Sequence, residues 1–99
     1  MPKLYEYLGM VFFFFSRDHL PMHLHVRYQD HQEIAELLFD ANGSLQLRWR
    51  STPGYEPLPL AKRRKAEKLI RAKSDDIVRK WTDHFARGRH FNPERITDL

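Results

Sequence analysis

The chain has 99 residues, enough for one hydrophobic core, and no cysteine, which excludes disulfides, a thiolate nucleophile and a cysteine-ligated zinc site. Its formal net charge of +4 at pH 7 is unevenly divided: residues 1–50 carry five Lys/Arg and six Asp/Glu, a net of −1, whereas residues 51–99 carry twelve and seven, a net of +5. The excess positive charge suits an acidic partner or a nucleic acid, and a well-solvated helix explains it equally well.

The only long apolar run is Leu8–Phe15, which Gly9 interrupts. It is shorter than the about 20 residues that cross a bilayer, and it lacks the basic lead and the small-residue cleavage site of a secretory signal. We therefore expect a cytoplasmic protein that makes no membrane contact.

The first half of the chain has the pattern of strands. Leu4–Tyr7 and Met10–Ser16 are rich in aromatic residues, and Gly9 between them indicates a bulge or a tight bend. Arg17–Pro21 is predicted to be a turn, because proline lacks an N–H and disfavours helical geometry at the residue before it. We expect Phe12–Phe15 to lie in the core, and any face of this strand that stays uncovered would mark a protein interface.

The next segment, Met22–Tyr28, alternates between two faces as a half-buried strand does. The side predicted to face the core carries Met22, Leu24, Val26 and Tyr28. The other side, predicted to face solvent, carries His23, His25 and Arg27.

A hairpin follows along the chain. Glu33–Phe39 is the next predicted strand, and Asp40–Gly43 has the Asp and Asn-Gly residues of a tight turn. On the return strand the predicted inward residues are Leu45, Leu47 and Trp49, and the predicted outward residues are Ser44, Gln46, Arg48 and Arg50. The short connections predict an antiparallel meander.

Residues 51–59 form a proline-bearing connector, and the pattern then becomes helical over residues 60–88. The apolar stripe of this half consists of Ala61, Ala66, Leu69, Ile70, Ile77, Trp81 and Phe85. The stripe drifts near Ser74, which is predicted to cap a second helix, so two helices or a bend are favoured over one straight rod. Gly88 is the predicted C-cap, and residues 89–99 are predicted to be a tail.

These elements predict one α+β domain over residues 1–99. An antiparallel meander of four to five strands would bury one face against two C-terminal helices, in two layers. The other face would then expose His23, His25, Arg27, Arg48 and Arg50.

The stretch from Phe13 to Tyr28, FFFSRDHLPMHLHVRY, resembles a bacterial family, domain of unknown function 4160. Gly54–Pro59 and Ile77–Trp81 are similar to a longer subgroup, so the resemblance covers nearly the whole chain. It implies a component of a small two-gene, toxin–antitoxin-like module, and it implies no catalytic residue. This chain has Arg17-Asp18 where many relatives have Asn and an acidic residue or His, a change that keeps the chemistry of a turn.

The histidine pair supports three readings. His23 and His25 could act as general acid and base beside Arg27, which is sufficient for metal-free cleavage of RNA through its own 2′-hydroxyl. His19, His23 and His25 could instead ligate a metal, although further ligands would have to come from elsewhere. The favoured reading is that packing alone positions the histidines.

The densest charge run lies in the predicted first helix. Arg64, Lys68 and Arg71 recur at helical spacing, opposite the apolar stripe, and could follow the phosphates of RNA or DNA. Basic helix faces are also often merely solvated, and the sequence contains no helix-turn-helix or ribonucleoprotein motif.

The sequence therefore favours a binding protein over an enzyme. The expected partner is a small protein encoded nearby or a second copy of the chain, contacted through a sheet edge or the Phe-rich strand. No cofactor is expected, because the sequence contains no phosphate-binding loop and no cofactor fingerprint.

Overall fold

The computed structural model describes residues 2–15 and 20–99. The described residues form six strands and two helices. In chain order these are β1 (Lys3–Tyr7), β2 (Met10–Phe13), β3 (His23–Tyr28), β4 (His31–Phe39), β5 (Leu45–Ser51), α1 (Leu60–Ala72), α2 (Ser74–Phe85) and β6 (Glu94–Ile96). Strand β2 ends at Phe13, so the predicted strand Met10–Ser16 is too long, because Phe14 and Phe15 are not in a strand. Ser16 and most of the predicted turn at Arg17–Pro21 lie outside the described residues.

The strands form one sheet in the order β5-β4-β3-β2-β1-β6. Strands β1 to β5 pair antiparallel with their chain neighbours, as the meander predicted. Strand β6 pairs parallel with β1, so the sheet is mixed, and the prediction of four to five antiparallel strands was only roughly right. Three residues are too few to show an alternating pattern, which is why β6 was missed.

Two helices follow the connector, and they meet at Lys73. The predicted cap at Ser74 is wrong: Ser74 is the first residue of α2, Lys73 precedes it, and no side chain caps this helix. The backbone stays nearly helical through the junction, because the Ile77 N–H donates to the Lys73 carbonyl at 2.9 Å. Helix α2 ends at Phe85 with Ala86 as its C-cap, so the predicted C-cap at Gly88 is wrong. Gly88, with a φ of 64°, lies in the turn that follows, where the Arg89 N–H donates to the Asp83 carbonyl.

The core lies between the helices and one face of the sheet. The helices contribute Ala66, Leu69, Ile70, Ile77 and Trp81, and the sheet contributes Tyr5, Met10, Phe12, Leu24, Val26, Ala35 and Leu37. Phe12, Phe13 and Phe14 are all buried, as expected for the Phe-rich strand, whereas Phe15 is 42% exposed. Neither helix in residues 2–15 and 20–99 is long and apolar enough to cross a membrane.

The buried carboxylate of Glu33 fixes α1 and the connector against the sheet. One of its oxygens accepts the Leu58 N–H at 2.9 Å, and the other accepts the Arg63 guanidinium of α1 at 2.5 Å. The interaction is charge-assisted and is made on the helix side of β4. Glu33 therefore joins both the connector and α1 to β4.

A second polar cluster joins α2 to β1 and β6. The buried Lys80 ammonium bonds to Asp76 at 3.0 Å and to Glu94 of β6, and it lies 4.4 Å from the ring centre of Tyr5. The Tyr5 hydroxyl donates to Asp76 at 2.5 Å. Burial and the neighbouring Asp76 raise the pKa of Tyr5. The pKa of Asp76 is lowered because the hydrogen bonds from Tyr5 and Lys80 outweigh the opposing effect of burial.

Candidate functional site

The face of the sheet turned away from the core, called the distal face below, is built from the residues that alternate with the core residues. Strand register brings Phe13, His25 and Ile34 into one row, and His23, Glu36 and Arg48 into the next. Because neighbouring strands place paired side chains close together, each row is a line of contacting groups. His23, His25, Arg48 and Arg50 therefore lie near one another on the distal face. Arg27, the remaining residue of the predicted catalytic set, is described below.

The predicted exposure of His23 and His25 is wrong, because they are only 7% and 4% exposed. The His25 ring stacks on Phe13 at 5.3 Å between centroids, and the Phe15 ring meets it edge-on at 4.2 Å. The His23 ring lies 5.6 Å from Trp81 of α2, and its Nδ1 is 2.8 Å from the Pro21 carbonyl oxygen. Aromatic side chains from both sides thus cover imidazoles that a strand pattern alone would leave open.

The two imidazoles lie together, with ring centres 5.2 Å apart, but Arg27 is held elsewhere. Its guanidinium donates to the Gln29 carbonyl at 3.3 Å and lies 5.5 Å from the Tyr55 ring centre. These contacts direct Arg27 toward the β3–β4 turn and the connector. Cleavage of RNA by His23, His25 and Arg27 stays a prediction, and it requires an uncovering of both rings.

Glu36 is the buried acid of the distal face, and sequence reasoning missed it. Its carboxylate accepts the Arg48 guanidinium at 2.5 Å and lies 3.3 Å from that of Arg50. The hydrogen bond from Arg48 lowers the pKa of Glu36 against the effect of burial, and the charges of Arg50 and His23 lower it further. The same contact raises the pKa of Arg48. Carboxylates are depleted in strands, so two in one strand, Glu33 and Glu36, were the available signal.

The predicted metal set includes a residue that the structure does not describe. His19 lies outside the described residues, and residues 2–15 and 20–99 contain no group of three His, Asp or Glu side chains placed to hold a metal ion. Metal binding by His19, His23 and His25 stays a prediction.

The predicted phosphate-following stripe is exposed on α1. Arg64 and Lys68 lie on its solvent side, and Arg71 donates to the Leu45 carbonyl of β5 at 2.9 Å. Two other cations of the run make internal bonds: Arg63 pairs with Glu33, and Lys62 donates to the Leu8 carbonyl. Nucleic-acid binding by the stripe stays a prediction.

The outer edge of β5 forms one end of the sheet. In the part of the chain that the structure describes, no strand pairs with this seven-residue edge. The Ser44 carbonyl bonds inward to Asp40, so by strand alternation Leu47, Trp49 and Ser51 direct their N–H and C=O groups outward. Leu45 does the same, and its outward carbonyl already accepts Arg71.

The two sides of this edge differ in charge. Arg48 and Arg50 project from β5 on the distal face, with side chains 61% and 48% exposed. On the helix side α1 follows β5, since the Trp49 indole donates to Glu67 at 2.7 Å and Arg71 bonds to Leu45. An extended chain laid along β5 would therefore meet backbone donors and acceptors, with a cationic border on the distal face.

Comparison with known proteins identifies the family but gives no established activity. A family model described as a domain of unknown function, DUF4160, matches residues 9–82. No curated protein and no solved structure matches the chain. The matched span includes β2 to β5, both histidines of β3, the basic helix and most of α2. Because the match extends over most of its length, this chain belongs to the DUF4160 family of domains of unknown function.

Proposed function

We propose that this chain is a protein-binding component of a two-protein, toxin–antitoxin-like module, and that its partner adds a strand to the outer edge of β5. The observation that carries the proposal is the open seven-residue edge itself. An exposed row of strand N–H and C=O groups is a template for pairing with another chain, and such edges are usually short or covered.

The two ends of the sheet differ in a way that favours this proposal. At the other end, β6 has only three residues, and Lys80 holds it through Glu94. At the β5 end, an outward carbonyl is bonded only by an arginine side chain, which an incoming strand could displace. The long edge, with its half-buried Leu47 and Trp49, offers both hydrogen bonds and apolar area.

The experiment is to co-express this chain with the product of the adjacent gene, purify through a tag on that product, and measure amide hydrogen exchange. In the complex we expect slower exchange at the outward amides of Leu47, Trp49 and Ser51. The amides of Gln46 and Arg48, which face β4, are the internal control, because they are already bonded in the free protein. A complex that leaves the outward amides unchanged contradicts edge pairing, and the absence of a complex contradicts the two-protein module.

The exposed Arg64 and Lys68 favour nucleic-acid contact as a second candidate function. Each phosphate contact releases counterions, so affinity for an RNA or DNA duplex should fall as salt rises. The double variant Arg64→Gln/Lys68→Gln should weaken binding and flatten the salt dependence, measured by fluorescence anisotropy. A duplex that binds the variant as well as it binds the wild type would remove this candidate.

A further inference from the structure

We propose that the segment that pairs with β5 is an extended chain in which acidic and apolar residues alternate. This inference rests on the proposed function, because it specifies the chemistry of the partner strand. Its basis is the asymmetry of β5, which presents arginines on the distal face and half-buried apolar side chains on the helix face.

The distal face of the edge has more positive than negative charge. Arg48 and Arg50 share one carboxylate, that of Glu36, and both guanidinium groups remain about half exposed or more. Side chains directly opposite on neighbouring strands lie close together, and opposite charges there are favourable. A carboxylate of an incoming strand, facing either arginine, would balance the charge that Glu36 leaves unmatched.

The helix face of the edge is apolar. Leu45, Leu47 and Trp49 are half-buried against the core, and an added strand would cover what remains of them. Successive residues of a strand point to opposite faces, so the residues flanking each acid would lie beside Leu47 and Trp49. Apolar residues at these alternate positions fit this face.

A second copy of the chain fits the edge poorly. An antiparallel pairing that uses all seven residues of both β5 strands places Arg48 opposite Arg48 of the other copy, with Gln46 opposite Arg50. Like charges directly opposite on neighbouring strands are destabilising. Self-pairing through β5 therefore lacks the charge match that an acidic strand supplies.

A nucleic acid also fits less well than a protein strand. The outward groups of Leu47, Trp49 and Ser51 alternate between N–H donors and carbonyl acceptors, as the backbone of another strand requires. Phosphate oxygens only accept hydrogen bonds, so they would leave the carbonyls of the edge without a partner.

The test uses three synthetic capped peptides of eight residues, in which valine alternates with glutamate, serine or lysine. Each is titrated into the full chain, with affinity measured by calorimetry and edge pairing by exchange of the β5 amides. We expect the glutamate peptide to bind and protect Leu47, Trp49 and Ser51, and the lysine peptide to bind roughly tenfold or more weakly. The serine peptide should fall between them.

Two matched variants test whether the arginines at the β5 edge cause the preference for the glutamate peptide. Arg50→Gln removes an edge arginine while Arg48 still pairs with Glu36. This variant should bind the glutamate peptide roughly twofold to fivefold more weakly than the wild type does. Arg27→Gln removes an exposed arginine from the same face, two strands away from the edge, and should leave the affinity unchanged.

The possible results separate the two proposals. Equal affinity for the three peptides, with the outward amides protected, overturns the charge preference and leaves edge pairing intact. If no peptide protects these amides while the neighbouring gene product does, the alternating acidic and apolar chemistry is wrong. If neither protects them, the proposed function fails as well. Two other results would also overturn the proposal of an acidic strand. If sedimentation shows a dimer and the β5 amides are protected, a second copy of the chain occupies the edge. If an eight-nucleotide RNA protects these amides, a nucleic acid occupies it.

Discussion

The lowered pKa of Glu36 predicts how the free energy of unfolding depends on pH. Arg48, Arg50 and His23 lower its pKa in the folded chain, so its stabilisation is complete above the ordinary glutamate value of about 4.3 and is lost as pH falls through the lowered value. Glu36→Gln should lower the free energy of unfolding at neutral pH, and this deficit should shrink as pH falls below about 4. Urea unfolding at several pH values measures this, and a deficit that stays constant into acid would contradict it.

Glu33 contributes to stability through buried hydrogen bonds, and two substitutions separate the effect of these bonds from the effect of its charge. Glu33→Ala leaves the Leu58 N–H and the Arg63 guanidinium without their acceptor and should cost about 3 kcal/mol of unfolding free energy. Glu33→Gln keeps an oxygen for Leu58 and should cost less. Lys65→Ala, on the exposed side of α1, is the control and should change stability by about 0.5 kcal/mol or less. Equal losses in the two Glu33 variants would show that the Leu58 bond contributes little.

Leu8 is held in a conformation that its side chain disfavours. Leu8 and Gly9 have φ values of 52° and 79° in the β1–β2 turn, where Asn-Gly is the preferred pair. The Leu8 side chain is 46% exposed, so little packing is lost on substitution. Leu8→Asn should raise the free energy of unfolding by about 1 kcal/mol, whereas Leu8→Val should lower it. Thermal unfolding checks both, and stabilisation by valine would show that turn geometry is not the cause.

Individual residues also mark where sequence reasoning succeeds. Alternation correctly placed Leu24 and Val26 in the core and left Arg48 exposed, because each depends on the face of its own strand. The burial of His23 and His25 depends on Phe15 and Trp81, which reach them from other parts of the chain. The alternation of side chains along one strand contains no information about such long-range contacts.

At the scale of elements, one buried ammonium group joins β6 to α2. Its three residues pair only with β1, and Lys80 bonds to Glu94 at its start. Lys80→Met removes this charge while keeping an unbranched side chain, so the amides of Arg95 and Ile96 should exchange roughly tenfold faster or more. Arg87→Met, which breaks an exposed pair with Asp83, is the control. Unchanged exchange in the Lys80 variant would mean that β1 alone holds β6.

The longer strands and helices could be predicted from the sequence, whereas the shortest strand could not. Strands β3, β4 and β5 and both helices span enough residues for their periodicity to show, and the Asp40–Gly43 turn fixed the β4–β5 pairing. Strand β6 has too few residues and owes its place to Lys80 and to β1. The junction of the helices lies one residue before the predicted cap, because Lys73 keeps both backbone bonds of a continuing turn.

For the whole molecule, the two-layer arrangement followed from the sequence because only the helices could cover the apolar face of the meander. The function could not be derived in the same way. The proposed site consists of an unpaired strand edge and the arginines on its distal face, and whether an edge is open depends on which strand ends the sheet. Strand order is set by long-range pairing, which no local pattern contains.

The position of Trp49 on the outermost strand has a practical consequence. The chain has two tryptophans, of which Trp81 is buried under the aromatic cluster, whereas Trp49 is half-buried with its backbone turned outward. Replacing Trp81 by phenylalanine would leave one indole, whose emission maximum should shift to shorter wavelength when a ligand strand shields it from water. The molecule thus contains its own optical reporter at the place where docking is proposed.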